Sequence, residues 1–207
     1  MAGGIAIEQD AFGTPGVWRL TLTHTGKFNA MSRSMWTELR AVFTAVQQDA
    51  SVRCVLLQGD RGHFCAGGDI AEYPSFRFDE AQLRHFHEQE VWGGLQAMLD
   101  CDVPIVARIE GNCMGAGMEI SSCCDLRLAS TQARFGAPIA RLGFPMAPKD
   151  WADEVLAQIT LNNARGGLES LCIRGPYTTR PARIAAAVLV ALSPDIIALL
   201  RRLKLVD

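Results

Sequence analysis

Residues 63–70 read His-Phe-Cys-Ala-Gly-Gly-Asp-Ile, and residues 104–119 read Pro-Ile-Val-Ala-Arg-Ile-Glu-Gly-Asn-Cys-Met-Gly-Ala-Gly-Met-Glu. In both, tiny residues follow a stretch that reads as a strand and then open a helix or turn. Gly and Ala let a backbone N–H come within hydrogen-bond distance of a ligand with no side chain in the way. A helix N-terminus adds unpaired N–H groups and a partial positive charge. Two such loops facing one another form an anion hole. Taken alone, such a loop is more often close packing of a strand against a helix than a catalytic feature.

Outward from these loops the chain alternates. Residues 5–8 and 17–23 alternate apolar and polar positions around the turn Ala11-Phe12-Gly13-Thr14-Pro15-Gly16, which predicts a hairpin. Ser32 or Ser34 caps a helix reaching about residue 47, with Met35, Leu39, Val42, Phe43 and Val46 at helical spacing. A strand follows over 52–57, then the first loop, then a long helix over 79–99. The cycle repeats with a strand over 104–109, a loop over 111–115, a helix over 117–123 and a strand over 126–129. Strands alternating with helices imply parallel pairing through crossover helices, an α/β fold. Beyond Pro148, helices are expected over 151–163, 181–191 and 194–205, separated by Gly and Pro breaks.

The 207 residues are 49% hydrophobic and 20% charged, enough for one domain with a sizeable core. A net charge of −2 gives no electrostatic footprint for nucleic acid or an anionic membrane. No stretch approaches the ~18 apolar residues of a membrane span, and residues 1–10 are too polar for a signal peptide. The seven cysteines are odd in number, include no Cys-x-x-Cys pair and sit mostly in apolar runs. They are expected to be reduced, buried thiols of a cytoplasmic protein, with no zinc site. His85 and His87, two apart on a helix, face different ways and are not a metal pair. A dinucleotide fingerprint fails because Ile120 stands where the third Gly belongs, and no Gly-Lys-Ser/Thr marks a phosphate loop.

The two segments, with Asn29-Ala30-Met31 before the first helix and Phe135-Gly136-Ala137-Pro138 after the last strand, resemble the crotonase (enoyl-CoA hydratase/isomerase) superfamily. The match runs over residues 5–148 in order. The resemblance implies a spiral of ββα units, two roughly perpendicular sheets and surrounding helices. It implies a core over 1–148 and a C-terminal helical region over 149–207. The implied substrate is an acyl-CoA thioester, with coenzyme A as part of the substrate and no other cofactor or metal, in a homotrimer or hexamer. It carries the oxyanion-hole amides onto Gly68 and Ala116, and the first catalytic glutamate onto Glu119. Ala66, Gly67, Asp69, Ile70, Gly115 and Ile139 fall at pocket-lining or CoA-binding positions. Asp69 is also placed to cap the helix expected after the loop. Lys27 and Arg61 are candidates for CoA phosphate contacts, with solvated surface charge as the alternative. Losing one oxyanion donor costs roughly 3–4 kcal/mol of transition-state stabilisation.

Two departures matter. The hydratases carry a second glutamate just after the proline of Phe-Gly-x-Pro, and here that position is Ile139. Adding water across an enoyl bond uses one group to take a proton and another to deliver one, and isoleucine does neither. Ordinary hydration is therefore in doubt, whereas isomerisation, decarboxylation, hydrolysis or simple CoA-ester binding are less affected. The second departure is the region after Pro148, which has no recognisable match to the helices that follow in relatives.

Overall fold

The structure is a computed structural model that describes residues 2–136 and the backbone of Cys172 and Ile173. The expected hairpin is present: β1 (Gly4–Glu8) runs antiparallel to β2 (Val17–Thr23), with Ala6 opposite Thr21. Val17, Trp18, Leu20 and Leu22 of β2 are buried, and the polar positions between them are not fully so, which is the pattern of a half-covered strand. Helix α1 (Arg33–Gln48) starts at Ser32, whose hydroxyl accepts from the Met35 N–H at 3.3 Å. Its buried face is Met35, Trp36, Leu39, Val42, Phe43 and Val46. Strand β3 (Cys54–Gly59) then lies parallel to β2.

The stretch read as one helix over 79–99 is helical but not uniform. Asp79 caps α2 (Glu80–His85), whose end passes into a wider π-turn over Phe86–Val91 and then into α3 (Trp92–Asp100). The wider turn buries Phe86 and Val91, five residues apart, together. It also leaves Glu90 against the guanidinium of Arg33 at the start of α1, which grips it through Nε at 2.8 Å and through Nη2. On the neighbouring turn, Gly94 lets α3 approach Trp36, since a Cβ there would stand 3.2 Å from that ring.

Strand β4 (Ile105–Ile109) pairs parallel with β3. The segment read as a loop over 111–115 instead contains β5 (Asn112–Met114). It pairs parallel with β7 (Arg134–Gly136), and these two form a separate sheet. Three residues are too few to print a period of two in the sequence, so pairing with β7 rather than local pattern creates this strand. Between them lie α4 (Ala116–Ser122) and β6 (Leu126–Ala129). The main sheet is completed by β8 (Cys172–Ile173) in the order β1-β2-β3-β4-β6-β8. The middle strands β2, β3, β4 and β6 are parallel and the two outer pairings antiparallel. The three helical stretches supply the crossovers between the parallel strands. Among the described residues no helix is long and apolar enough to cross a membrane. The helices expected over 151–163, 181–191 and 194–205, and the boundary at 148, lie outside the described residues.

Candidate active site

The two small-residue loops come together. Residues 64–68 run between the 28–31 stretch and β5. On one side, Cys65 N–H donates to Asn112 O and Met114 N–H to Cys65 O, both at 2.9 Å. On the other, Ala66 N–H donates to Phe28 O at 3.0 Å, Met31 N–H to Gly67 O and Asp69 N–H to Met31 O at 2.8 Å. These last two bonds flank Gly68 and belong to a parallel bridge with Met31, so the Gly68 N–H is turned away from Met31. That side holds β5 and the start of α4.

There Gly115 has φ 45° and ψ −111°, a backbone open to glycine but strained for other residues. Gly115 N–H is anchored to Gly136 O at 2.9 Å, and its carbonyl accepts from Met118 N–H at 2.7 Å. The turn leaves Ala116 as the first helical residue, with an N–H that has no partner within its helix. Neither the Gly68 nor the Ala116 N–H has an acceptor among the described residues. The loops touch closely. A Cβ on Gly115 would lie 3.8 Å from Gly67 Cα, one on Gly67 3.5 Å from Met114 O, and one on Gly117 2.9 Å from Cys65 O.

Glu119 follows one turn into α4 and is half-buried. Its charge reaches two groups across the loops. Burial first, and then the Glu119 carboxylate, raise the Tyr73 phenol above its ordinary range. Burial pushes the Cys65 thiol up to about 12, with Glu119 adding to the effect, so Cys65 is an unreactive packing thiol. Cys101, Cys113, Cys123 and Cys124 are likewise buried thiols, and Cys54 is a partly buried one. Among the described residues no group of His, Cys, Asp and Glu could hold a metal ion.

Sequence reasoning did not single out Tyr73. Its hydroxyl would stand 2.7 Å from a Cβ on Gly68, so it packs against the Gly68 Cα. The only hint in the sequence is an aromatic residue five positions after Gly68, in a turn marked by Pro74.

The remaining site candidates separate into two groups. Ala66 and Gly67 line the loop itself, half-buried and buried. Ile70 is 56% exposed just beyond it. Asp69 is buried and its carboxylate is occupied: Oδ2 accepts from Lys27 Nζ at 2.5 Å and Oδ1 from Ala71 N–H at 3.2 Å. The second of these closes a turn rather than capping the expected helix, because residues 70–72 form a turn. Lys27 is thus tied to the protein, though 42% of its side chain is exposed. Arg61 is mostly exposed, beside Asp60 at 3.4 Å. His63 is structural, as its Nδ1 accepts from Asn112 N–H at 3.2 Å and its ring meets Phe28 edge-on. His85 reaches Glu90 at 3.7 Å. Ile139 lies outside the described residues.

A mainly parallel sheet with crossover helices, a second small sheet and two glycine loops meeting at a helix start define a crotonase-type fold. The family described as enoyl-CoA hydratase/isomerase matches residues 13–164, and the chain belongs to it. It is 30% identical over 139 residues to the mevalonyl-coenzyme A hydratase of Beauveria bassiana, covering 64% of this chain and 49% of that protein. It is 33% identical over 117 residues to the crotonyl-CoA hydratase of Syntrophomonas wolfei, covering 56% and 44%. Among solved structures it is similar to Pseudomonas aeruginosa AtuE, with 35% identity and a TM-score of 0.67, covering 76% of this chain and 58% of that one. An enoyl-CoA hydratase/carnithine racemase from Magnetospirillum magneticum gives 27% identity and a TM-score of 0.69, covering 75% and 56%. The chain spans about half the length of these curated relatives.

Proposed function

We propose that this chain processes an acyl-CoA thioester, holding its carbonyl oxygen between the N–H groups of Gly68 and Ala116 while Glu119 moves a proton. The observation that carries this reading is that two amides without acceptors among the described residues, Gly68 and Ala116, sit on loops that approach one another, a Cβ on Gly115 lying 3.8 Å from Gly67 Cα. A thioester oxygen gains negative charge whenever a proton leaves Cα or a nucleophile adds at Cβ. Preorganised donors stabilise that charge more than they stabilise the neutral carbonyl. Glu119, one turn into the same helix and half-buried, would serve as acid or base. The relatives named above as mevalonyl- and crotonyl-CoA hydratases support a CoA ester as substrate. Coenzyme A then enters with the substrate, and the working particle is a homotrimer or hexamer in the cytoplasm.

Hydration of crotonyl-CoA, followed by loss of enoyl absorbance, and isomerisation of a 3-enoyl-CoA test the reading together. Glu119→Gln should lower whichever rate is present by about 10²–10⁴-fold. An unchanged rate would remove Glu119 from the chemistry. Ile139 motivates a second reading, a CoA-ester binder without turnover. Calorimetry that finds tight acyl-CoA binding alongside silence in both assays would favour it.

A further inference from the structure

We propose that Tyr73 is a further catalytic residue of this site, its phenol delivering to substrate carbon the proton that a lone Glu119 carboxylate does not supply. The assignment rests on the acyl-CoA reading above. It begins from position. The Tyr73 hydroxyl stands 2.7 Å from where a Cβ on Gly68 would be, so any larger residue at 68 would collide with it. A thioester oxygen held by the Gly68 amide would bring the first acyl carbons to this same corner. Among the charged groups acting on the phenol, Glu119 has the strongest influence.

The phenol is held there rather than merely passing by. Tyr73 begins a short 3-10 turn, Tyr73–Ser75, and its N–H donates to Ile70 O at 3.3 Å. Its carbonyl accepts from Arg77 N–H at 2.8 Å. The preceding residue, Glu72, accepts from the Arg33 N–H at the start of α1 at 2.8 Å. The ring packs against Phe76 and Phe86, with centroids 5.5 and 5.9 Å away, and the Arg33 guanidinium covers Phe76 at 4.9 Å. A side chain locked by neighbours on several elements is what precise proton delivery requires.

The protonation state suits the task. Burial and then Glu119 raise the phenol. Asp69 and Glu72 act in the same direction and Arg77 opposes them. Tyr73 therefore stays neutral near pH 7 and acts as a donor, while Glu119 is the base. In hydration, the Glu119 carboxylate takes a proton from water as the water oxygen bonds to Cβ. The Cα=Cβ pair becomes the bond between Cα and the carbonyl carbon as the carbonyl pair moves onto the thioester oxygen. When the oxygen pair re-forms the carbonyl, the enolate carbon–carbon pair takes the Tyr73 proton, making the Cα–H bond. The phenolate recovers a proton from the Glu119 carboxyl, and the net change is the addition of one water.

The test is crotonyl-CoA hydration by the full chain as wild type, Glu119→Gln and Tyr73→Phe, with kcat measured from neutral to alkaline pH. Tyr73→Phe should lower kcat by about 100-fold with little change in KM. Wild-type kcat should fall on the alkaline side as the phenol ionises, and Tyr73→Phe should lack that limb. Fluorotyrosine incorporated at position 73 keeps the shape but is more acidic, and should move the limb to lower pH even if Tyr73→Phe folds poorly. Full activity in Tyr73→Phe, a rise in KM alone, or a limb unmoved by fluorotyrosine would each overturn the assignment. If wild type neither hydrates nor isomerises a CoA ester, the acyl-CoA reading fails and takes this one with it. If wild type is active, Glu119→Gln is inactive and Tyr73→Phe is unimpaired, only the role of Tyr73 falls.

Discussion

The Gly67–Gly68 turn and the Gly115–Ala116 turn each leave an amide without an acceptor among the described residues, and they do so by different physics. At Gly68 the amide is freed by strand geometry, because the bonds to Met31 are made by Gly67 and Asp69 on either side of it. At Ala116 it is freed by being the first residue of a helix, after a glycine with φ 45°. The first amide depends on two flanking segments staying paired. The second depends on one backbone conformation and carries the partial positive charge of a helix start. A site built from both has one donor that is rigid through long-range contacts and one that is rigid through local conformation.

The contact between the loops is where this comparison can be broken most forcefully. Gly117→Val would bring a Cβ to 2.9 Å from Cys65 O and 3.0 Å from Cys65 Cβ, neither of which is the free end of a flexible side chain. Urea denaturation should give a loss of about 2–3 kcal/mol, the usual cost of overpacking. A negligible loss would mean that the loops do not press together. Gly115→Ala isolates the second mechanism. Its added Cβ has room, 3.8 Å from Gly67 Cα, but the backbone is wrong for alanine. The expected cost is about 1–3 kcal/mol of local strain. Relief of that strain by rotating the peptide would swing the Ala116 N–H away, so activity should fall further than stability.

Gly68→Ala sharpens the first mechanism with a smaller effect. The atoms nearest its Cβ are the outer ones of Tyr73, the hydroxyl at 2.7 Å and the ring beyond 3.5 Å. Removing that hydroxyl should restore much of the stability lost. A double-mutant cycle of Gly68→Ala with Tyr73→Phe should therefore show coupling of about 0.5–3 kcal/mol. Additive effects would separate the two residues in space.

What the sequence made legible follows the same division. The hairpin, α1 with Ser32 as its cap, and the β3 and β4 strands each carry enough apolar positions for period 2 or period 3.6 to show. The two loops were visible because small residues bunch at Ala66-Gly67-Gly68 and Gly115-Ala116-Gly117. Strands β5 and β7 were not, because three-residue strands exist only through their pairing with each other and with residues 64–65. The π-turn was hidden because Phe86 and Val91 fit a helical pattern closely enough to mask the extra residue. Tyr73 was missed because its importance is a matter of where its hydroxyl arrives, which no spacing records. Ile139 was noticed from the family pattern, and the geometry around it falls outside the described residues.

The smallest expected effect concerns the brace beneath the first loop. Burial pushes the Asp69 carboxyl up, but the Lys27 ammonium, the Ala71 N–H and the charge of His24 outweigh it and hold it below its ordinary 3.8. A carboxyl depressed in the folded state contributes stability above its unfolded value, and that contribution disappears as pH falls through the folded value. Asp69→Asn keeps an acceptor for Ala71 N–H while removing the charge. Because Lys27 is 42% exposed, solvent screens the pair. The neutral-pH loss should then be about 1 kcal/mol or less. Urea midpoints of wild type and Asp69→Asn should differ by a constant amount from pH 7 down to the ordinary carboxyl range, then converge below it. A gap that persists undiminished in strong acid would show that Asp69 braces the loop by shape and hydrogen bonding, leaving Lys27 free to meet an anionic ligand.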